Sequence, residues 1–514
     1  MGKFTKTTIR IPMRDGVELG ADLYLPGGAS RGTVLARGPY GRPAYLARTM
    51  AKQWAEAGYT ALLVSSRGTA DSAGAFDPMR DETPDGKDVV AWMRQQDWYT
   101  GSFATVGGSY LGHTQWAILD EPEPDHVAAI VSIGPHDFAR HAWGTGTFNL
   151  DLYGWAEQMT LMSSGRGMLR MLIGLATSSK RLLPIMRATP SATATIEYFG
   201  DRAPWIGERL TTPDIDDPYW APMRHGRALE AAGIPILILG GLQDLFQRQS
   251  VEQFLALAAR GVTTGLTLGP WTHIDRSRMN ARTVHAETLA WLDHHLAGDG
   301  PAPRPHRVRI YDTGTREWFE AQDWPAASST STLLLGGDGA LVAGGAAGGE
   351  RAFVYDPADP TPTIGGNVIT REGGYRDDGP LAARADTLVY ETAPLTEPLA
   401  LGGAPVVVLE HGAEHPDADL FVRLSDVDAR GRSRNVTEGF VRLLGEAANG
   451  SVELPLLDTA HTFLPGHRIR LIVAGGSFPQ FARSSATGGN PLTATRLLPN
   501  RHTVAGGELR LPLR

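Results

Sequence analysis

The sequence predicts an α/β fold: a doubly wound, largely parallel sheet that carries a helical insertion and is followed by a second, β-rich unit. Three observations predict it. Over the first 300 residues, six short apolar runs alternate with helical patterns. A Met-, Leu- and Trp-rich stretch from about 137 to 227 interrupts that alternation, and from 299 onward alternating β-type runs replace the long helical patterns. At 514 residues the chain exceeds what one ordinary core accommodates, so several units are expected.

The six runs are TVLARGPY (33–40), ALLVSSRG (61–68), FATVGGSY (103–110), AAIVSIGP (128–135), IPILILGG (234–241) and TTGLTLGP (263–270). Each runs into a corner of Gly, Pro or Ser. Being apolar on both faces, they suit parallel strands covered by helices. Between them lie ARTMAKQWAEAG, GKDVVAWMRQQ and VEQFLALAARG, helical in spacing, two of them closed by Gly at the C′ position. Such alternation is the pattern of a doubly wound domain. Asp137–Arg227 repeats Met, Leu and Trp at helical spacing and reads as a mostly helical cap. It enters where the sheet delivers the C-terminal ends of its strands, the ligand side of open α/β sheets. In the tail, VRIYDTG, STLLLGG, VVVLEHG, DLFVRLSD, RIRLIVAGG and ELRLPLR alternate with Gly, Pro and Asp, which predicts a β-sandwich or jelly roll. LLLGGDGALVAGGAAGGE (333–350) reads as a Gly/Ala-rich loop region. The expected organisation is 1–136 with 228–298 for the α/β unit, 137–227 for the cap and 299–514 for the jelly roll.

Composition narrows the function. With 42% hydrophobic and 20% charged residues the chain has the make-up of a globular enzyme. The net charge of −8 comes without a basic block, so nucleic acid is not an expected partner. No apolar run approaches the roughly 20 residues that span a bilayer, and MGKFTKTTIRIPMRDG holds no apolar leader. The reading is a soluble cytoplasmic protein with no membrane partner. The absence of cysteine excludes disulfides, thiol nucleophiles and thiolate metal sites.

TVGGSYLGHT (105–114) places Ser109 on a strand–turn–helix corner behind Gly107 and Gly108. Such a corner holds the hydroxyl clear of its neighbours and sets the next backbone N–H, that of Tyr110, to receive an oxyanion. Leu111 stands at +2 and the next glycine, Gly112, at +3, so the match to G-x-S-x-G is incomplete. A serine nucleophile needs a base, and the base needs an orienting carboxylate. IPILILGG runs into LQDLF, presenting Asp244, and TTGLTLGP runs into WTH, presenting His273. Both addresses share an edge with Ser109, in the chain order Ser, Asp, His. Asp137 in GPHDF is an alternative acid. Asp275 lies too close along the chain to orient His273, His113 reads as a packed helix histidine, and His285, His294 and His295 read as structural or solvated. The stretch from Asp426 to Gly431 superficially resembles a calcium loop. It lacks a third oxygen ligand and has Thr437 where a bidentate Glu belongs, so it reads as a hairpin turn.

GGSYLGHTQW, RGPYGR, GGLQDLF and GPWTHID together resemble the group that contains cocaine esterase, X-Pro dipeptidyl-peptidases and α-amino-acid ester hydrolases. ETLAWLDHHLAG, VYDPADPTPTIGG, SFPQFAR and DADLFVRLSDVDARG extend the resemblance over nearly the whole chain. It implies an α/β-hydrolase domain, an inserted helical cap and a C-terminal jelly roll. It also implies a triad of Ser109, His273 and Asp244, an oxyanion hole from the Tyr40 phenol and the Tyr110 N–H, and no metal or organic cofactor. The elbow G-x-S-Y-x-G makes Leu111 a habit of the group. VSSRG, with Ser65 and Ser66, departs from the Asp that relatives often carry there. Trp143, Tyr153, Trp155, Glu157 and Trp271 are candidates for the substrate pocket, Glu157 also as an anchor for a substrate amine. The expected function is serine-dependent cleavage of a small-molecule carboxylic ester or amide through an acyl-enzyme. The alternatives are an X-Pro dipeptidyl-peptidase-like enzyme, an aminoacyl-ester hydrolase or acyltransferase, and a non-catalytic carbohydrate-binding protein. Homo-oligomerisation is left open.

Overall fold

A computed structural model describes residues 3–42, 45–121, 123–163, 168–275, 281–344 and 348–514. The strands of its first sheet are β1 (Phe4–Pro12), β2 (Glu18–Pro26), β3 (Thr33–Gly38), β4 (Thr60–Ser65), β5 (Phe103–Gly108), β6 (His126–Ser132), β7 (Ile236–Gln243), β8 (Thr264–Thr272), β9 (Val308–Asp312) and β10 (Glu317–Ala321). Their order is β1-β2-β4-β3-β5-β6-β7-β8-β9-β10. Pairing is parallel from β4 across to β9. Among the described residues, the α-helices before the sandwich are α1 (Tyr45–Glu56), α2 (Glu82–Met93), α3 (Tyr110–Trp116), α4 (Phe138–Trp143), α5 (Asp151–Ser163), α6 (Met168–Met186), α7 (Ser191–Phe199), α8 (Ile206–Thr211), α9 (Gly226–Ala231), α10 (Gln247–Ala259) and α11 (Ala281–His295).

Every residue of β3, β4, β5 and β7 is buried, which is why their sequences are apolar throughout. Neighbours along a strand face opposite layers. Val34 and Leu63 pack with Trp54 of α1 and Trp291 of α11, while Leu35 and Leu62 pack with Val89, Val90 and Met93 of α2. The hairpin β1–β2 has no counterpart among the expected strands. β1 (FTKTTIRIP) is largely exposed and polar, a pattern that does not announce a sheet edge.

A second difference concerns VRIYDTG, expected in the jelly roll. It forms β9, which pairs in parallel with β8, Leu266 opposite Val308 and Leu268 opposite Ile310. Its alternating burial is that of an edge-region strand, and the partner of such a strand is chosen by tertiary contact. The cap α4–α8 follows β6 directly and gathers around Trp143, Phe148, Tyr153, Trp155 and Trp220.

The rest of the chain is a β-sandwich of an eight-stranded and a four-stranded sheet. Leu409 and Leu511 of the larger sheet meet Leu420, Leu424 and Leu471 of the smaller in one core. Part of the expected loop at 333–350 is ordered as strand: Leu334 and Leu335 pair with Val342 and Leu341, while 345–347 lie outside the described residues. Asp428 to Gly431 is a hairpin turn between Asp417–Val427 and Ser433–Leu444, as read from its residues. No described helix is long and apolar enough to cross a membrane.

Candidate active site

β5 ends in two glycines and hands the chain to α3 through Ser109, whose φ of 60° and ψ of −125° lie where a side chain is rarely tolerated. Such a backbone costs about 1–3 kcal/mol and persists only when the surroundings hold it. They do. The Ser109 N–H donates to the Ser132 carbonyl at 2.9 Å, and the Ser109 carbonyl accepts from the Gly112 and His113 N–H groups. A Cβ on Gly107 would lie 2.4 Å from Leu111 Cβ, and one on Gly112 would lie 2.6 Å from Gly134 Cα. Gly112 at +3 is therefore the residue that lets α3 close on the loop after β6.

β7 and β8 end beside this corner. Asp244, just past β7, is fully buried, and its Oδ1 accepts from the Phe246 N–H at 2.8 Å. Asp244 Oδ2 and His273 Nδ1 lie 2.7 Å apart, and His273 Nε2 lies 2.9 Å from Ser109 Oγ. With Nδ1–H donating to the carboxylate, Nε2 is the acceptor for the serine proton. Phe246 stands edge-on to the imidazole at 5.5 Å. From the sandwich, the Asn367 side-chain amide donates to the Asp244 carbonyl at 2.8 Å.

Tyr40, two residues past β3, brings its phenol to 3.4 Å from Ser109 Oγ. The Trp155 indole N–H donates to the same phenol oxygen at 3.3 Å. Tyr110 opens α3, so its backbone N–H is the first of that helix. Its ring is held from below: the phenol donates to Glu82 Oε1 at 2.8 Å and accepts from the Met79 N–H at 2.6 Å. Glu82 also accepts from Ser66 Oγ at 2.8 Å and pairs with buried Arg37. Burial raises both the Glu82 carboxyl and the Tyr110 phenol above their ordinary ranges, with Arg37, Ser66 and Tyr110 drawing the carboxyl back down. The VSSRG departure thus has a place, because Ser66 completes this network and Ser65 accepts from Arg42 at 2.8 Å.

The other candidates sit elsewhere. Asp137 caps α4 through the Arg140 N–H and pairs with Arg224. His113 is buried, contacts the Pro135 carbonyl and His225, and is pushed down to about 4 by desolvation. The Asp275 N–H donates to Thr272 Oγ1, and His294 Nδ1 contacts the Gly300 carbonyl. Of the five pocket candidates, Trp155 lines the chamber at Ser109. The other four face away from it. Trp143 donates its indole N–H to the Arg209 carbonyl within the cap core, and Tyr153 is fully enclosed beside Phe148. Glu157 pairs with Arg181 inside the cap. Trp271 lies on the β8 backbone, covering Gly269, against Trp318. Spacing placed them on the right elements, but helix rotation and local packing turned them inward. The chamber walls that motif reading did not supply are Met79, Phe138, His141, Asp151, Leu152, Leu245, Phe246 and Ile369. Leu245 and Phe246 had a local signal, one and two residues past Asp244.

An acid, an imidazole and an alcohol at the C-terminal edge of such a sheet, under a helical cap, mark the protein as a hydrolase of the α/β-hydrolase fold. The chain belongs to the X-Pro dipeptidyl-peptidase (S15) family, whose model matches residues 15–275. The X-Pro dipeptidyl-peptidase C-terminal non-catalytic domain matches residues 302–510. It is 30% identical over 538 residues to cocaine esterase from a Rhodococcus species, covering 94% of this chain and 92% of that protein. Two solved structures share the whole fold. An aminopeptidase from a marine sediment Thaumarchaeota archaeon has a TM-score of 0.84 at 24% identity, over 99% of this chain and 96% of that one. An α-amino acid ester hydrolase has a TM-score of 0.82 at 22% identity, over 100% and 97%.

Proposed function

We propose that the protein hydrolyses a carboxylic ester of a small molecule through a covalent acyl-enzyme, with Ser109 as nucleophile, His273 as general base and acid, and Asp244 as the carboxylate that orients the imidazole. The observation that carries this is the unbroken relay from Asp244 Oδ2 through both nitrogens of His273 to Ser109 Oγ, at 2.7 and 2.9 Å. His273 takes the Ser109 proton as Oγ attacks the ester carbonyl carbon. The carbonyl oxygen becomes an oxyanion, received by the Tyr40 phenol and the Tyr110 N–H. His273 then delivers its proton to the departing alkoxide, leaving an acyl ester on Ser109. Water, deprotonated by the same imidazole, attacks this ester. The acid departs and Ser109 regains its proton. Asp244 keeps the proton on Nδ1 and stabilises the transient imidazolium. The similarity to cocaine esterase supports an ester as the substrate. Glu157 is engaged by Arg181 and does not favour a free-amine anchor at that position.

The test is hydrolysis of p-nitrophenyl acetate together with labelling by a fluorophosphonate. The unmodified protein turns over the ester and takes one label. Ser109→Ala does neither while keeping its circular dichroism spectrum. Full labelling of Ser109→Ala would overturn the assignment of the nucleophile.

A further inference from the structure

The chamber at Ser109 holds only about 30 Å³, room for little more than the reacting atoms. Two larger cavities adjoin it. One, of about 340 Å³, shares His141 and Leu245 with the chamber. These residues lie on the His273 side, where Phe246 packs 4.7 Å from His141 and 5.5 Å from His273. The other, of about 290 Å³, shares Asp151 and Ile369 with the chamber. It lies between α5, α6 and the sandwich loop 363–372, walled by Leu150, Leu182, Met186, Val368 and Ile369, and opens to solvent beside Leu183 and Glu372.

The seam between chamber and cavity is built on α5. Asp151 and Trp155, four residues apart, face the chamber; Asp151 and Gly154, three apart, face the cavity. Because His273 delivers its proton to the leaving group, the leaving group occupies the His273 side. The acyl group must then extend the other way, past Asp151 and Ile369.

We propose that this second cavity is the acyl subsite, that it takes an uncharged apolar acyl group, and that Asp151 and Gly154 set its specificity. The inference rests on the serine-hydrolase reading above. Two features of the cavity support it. A Cβ on Gly154 would meet only Ile369 Cγ2, at 3.9 Å, so the glycine leaves space rather than relieving a clash. Asp151 is buried, and its carboxyl accepts from the Ile369 N–H at 3.2 Å. Burial pushes this carboxyl up to about 7, the Ile369 N–H opposing, with no cation contributing. A carboxyl so placed spends much of its time as the neutral acid, a hydrogen-bond donor inside an apolar wall.

The experiment is an acyl-length series of p-nitrophenyl esters on the full chain, acetate to octanoate. In the unmodified protein kcat/KM rises about fourfold per added methylene over the first few carbons, the value of burying each one. Gly154→Leu, which fills the cavity from a helix position, loses the rise: the octanoate-to-acetate ratio of kcat/KM falls to about one. An unchanged length profile in Gly154→Leu, or a flat profile in the unmodified protein, overturns the subsite. Absence of acetate hydrolysis overturns the hydrolase reading and the subsite with it. For the charge of the acyl group, the p-nitrophenyl esters of isobutyrate and alanine are compared, each relative to its rate in buffer. The isobutyrate ester is preferred at least tenfold, and Asp151→Asn keeps that preference. A preference for the alanine ester that Asp151→Asn abolishes would make Asp151 an ammonium counter-ion and overturn the proposal.

Discussion

The floor and the walls of the site are built in different ways. The floor consists of three corners at the ends of β5, β7 and β8, where short apolar strands stop and one reactive side chain follows within a residue or two. The Ser109 and Asp244 corners are held by their own backbone hydrogen bonds and by close-packed glycine, and the His273 corner by the Asp275 N–H on Thr272 Oγ1. The walls are assembled from units far apart in the chain. Asp151 and Trp155 come from the cap, Phe246 from the α/β unit and Ile369 from the sandwich. On the proposed assignment, chemistry rests on local corners, whereas substrate choice rests on the meeting of three surfaces. A change in the floor should collapse turnover, and a change in the walls should redistribute it among substrates.

The largest expected effect lies in the floor. Asp244→Asn preserves shape but favours the wrong imidazole tautomer, so kcat falls by about 10⁴ with little change in KM. A loss under tenfold would mean that another group orients His273. Next is the support beneath α3. Glu82→Ala leaves Arg37 buried without its carboxylate and should cost about 3–5 kcal/mol in denaturant unfolding. A loss below 1 kcal/mol would show that Arg37 finds another partner. Tyr40→Phe removes one proposed oxyanion donor and should lower kcat by about 10²–10³. An equal drop in Trp155→Phe, which keeps the phenol but loses its indole partner, would instead assign the effect to packing.

Smaller effects probe the join between floor and walls. Asn367→Ala removes the sandwich's hydrogen bond to the Asp244 carbonyl and should lower kcat about tenfold, roughly the value of one such bond. Steady-state kinetics showing a change in KM alone would place Asn367 with the walls. A further effect, read per pH unit, is on acid stability. Burial pushes His113 down to about 4 and His126, His136 and His502 to about 3, all below the unfolded value near 6.5. The unfolded chain therefore takes up these protons first. Each site's contribution is whole above pH 6.5 and falls away as pH drops toward 3–4, by up to about 1.4 kcal/mol per pH unit. Unfolding free energies measured between pH 7 and 5 should show His126→Gln with the shallower slope, and an unchanged slope would remove His126 from this account.

Much of this molecule was legible before its structure. Strands covered on both faces betray themselves by unbroken apolar runs, and a corner residue behind two glycines betrays itself by its neighbours. Ser109, Asp244 and His273 could be singled out because each has a strand-end address that depends only on adjacent residues. The hairpin β1–β2 was not legible, because a polar outer strand such as β1 resembles a loop, and β9 carried nothing to say which sheet would receive it. The inward turn of Trp143, Tyr153 and Trp271 escaped for the same reason, since the side of an aromatic residue that meets the cavity depends on how whole elements rotate and pack. Neighbouring residues settle periodicity, turn chemistry and the order of reactive groups, because those interactions span a few bonds. Folding alone brought Asp151 beside Ile369 and Asp244 beside Asn367. Those contacts join stretches more than 120 residues apart, and their energies arise only once the three units have packed.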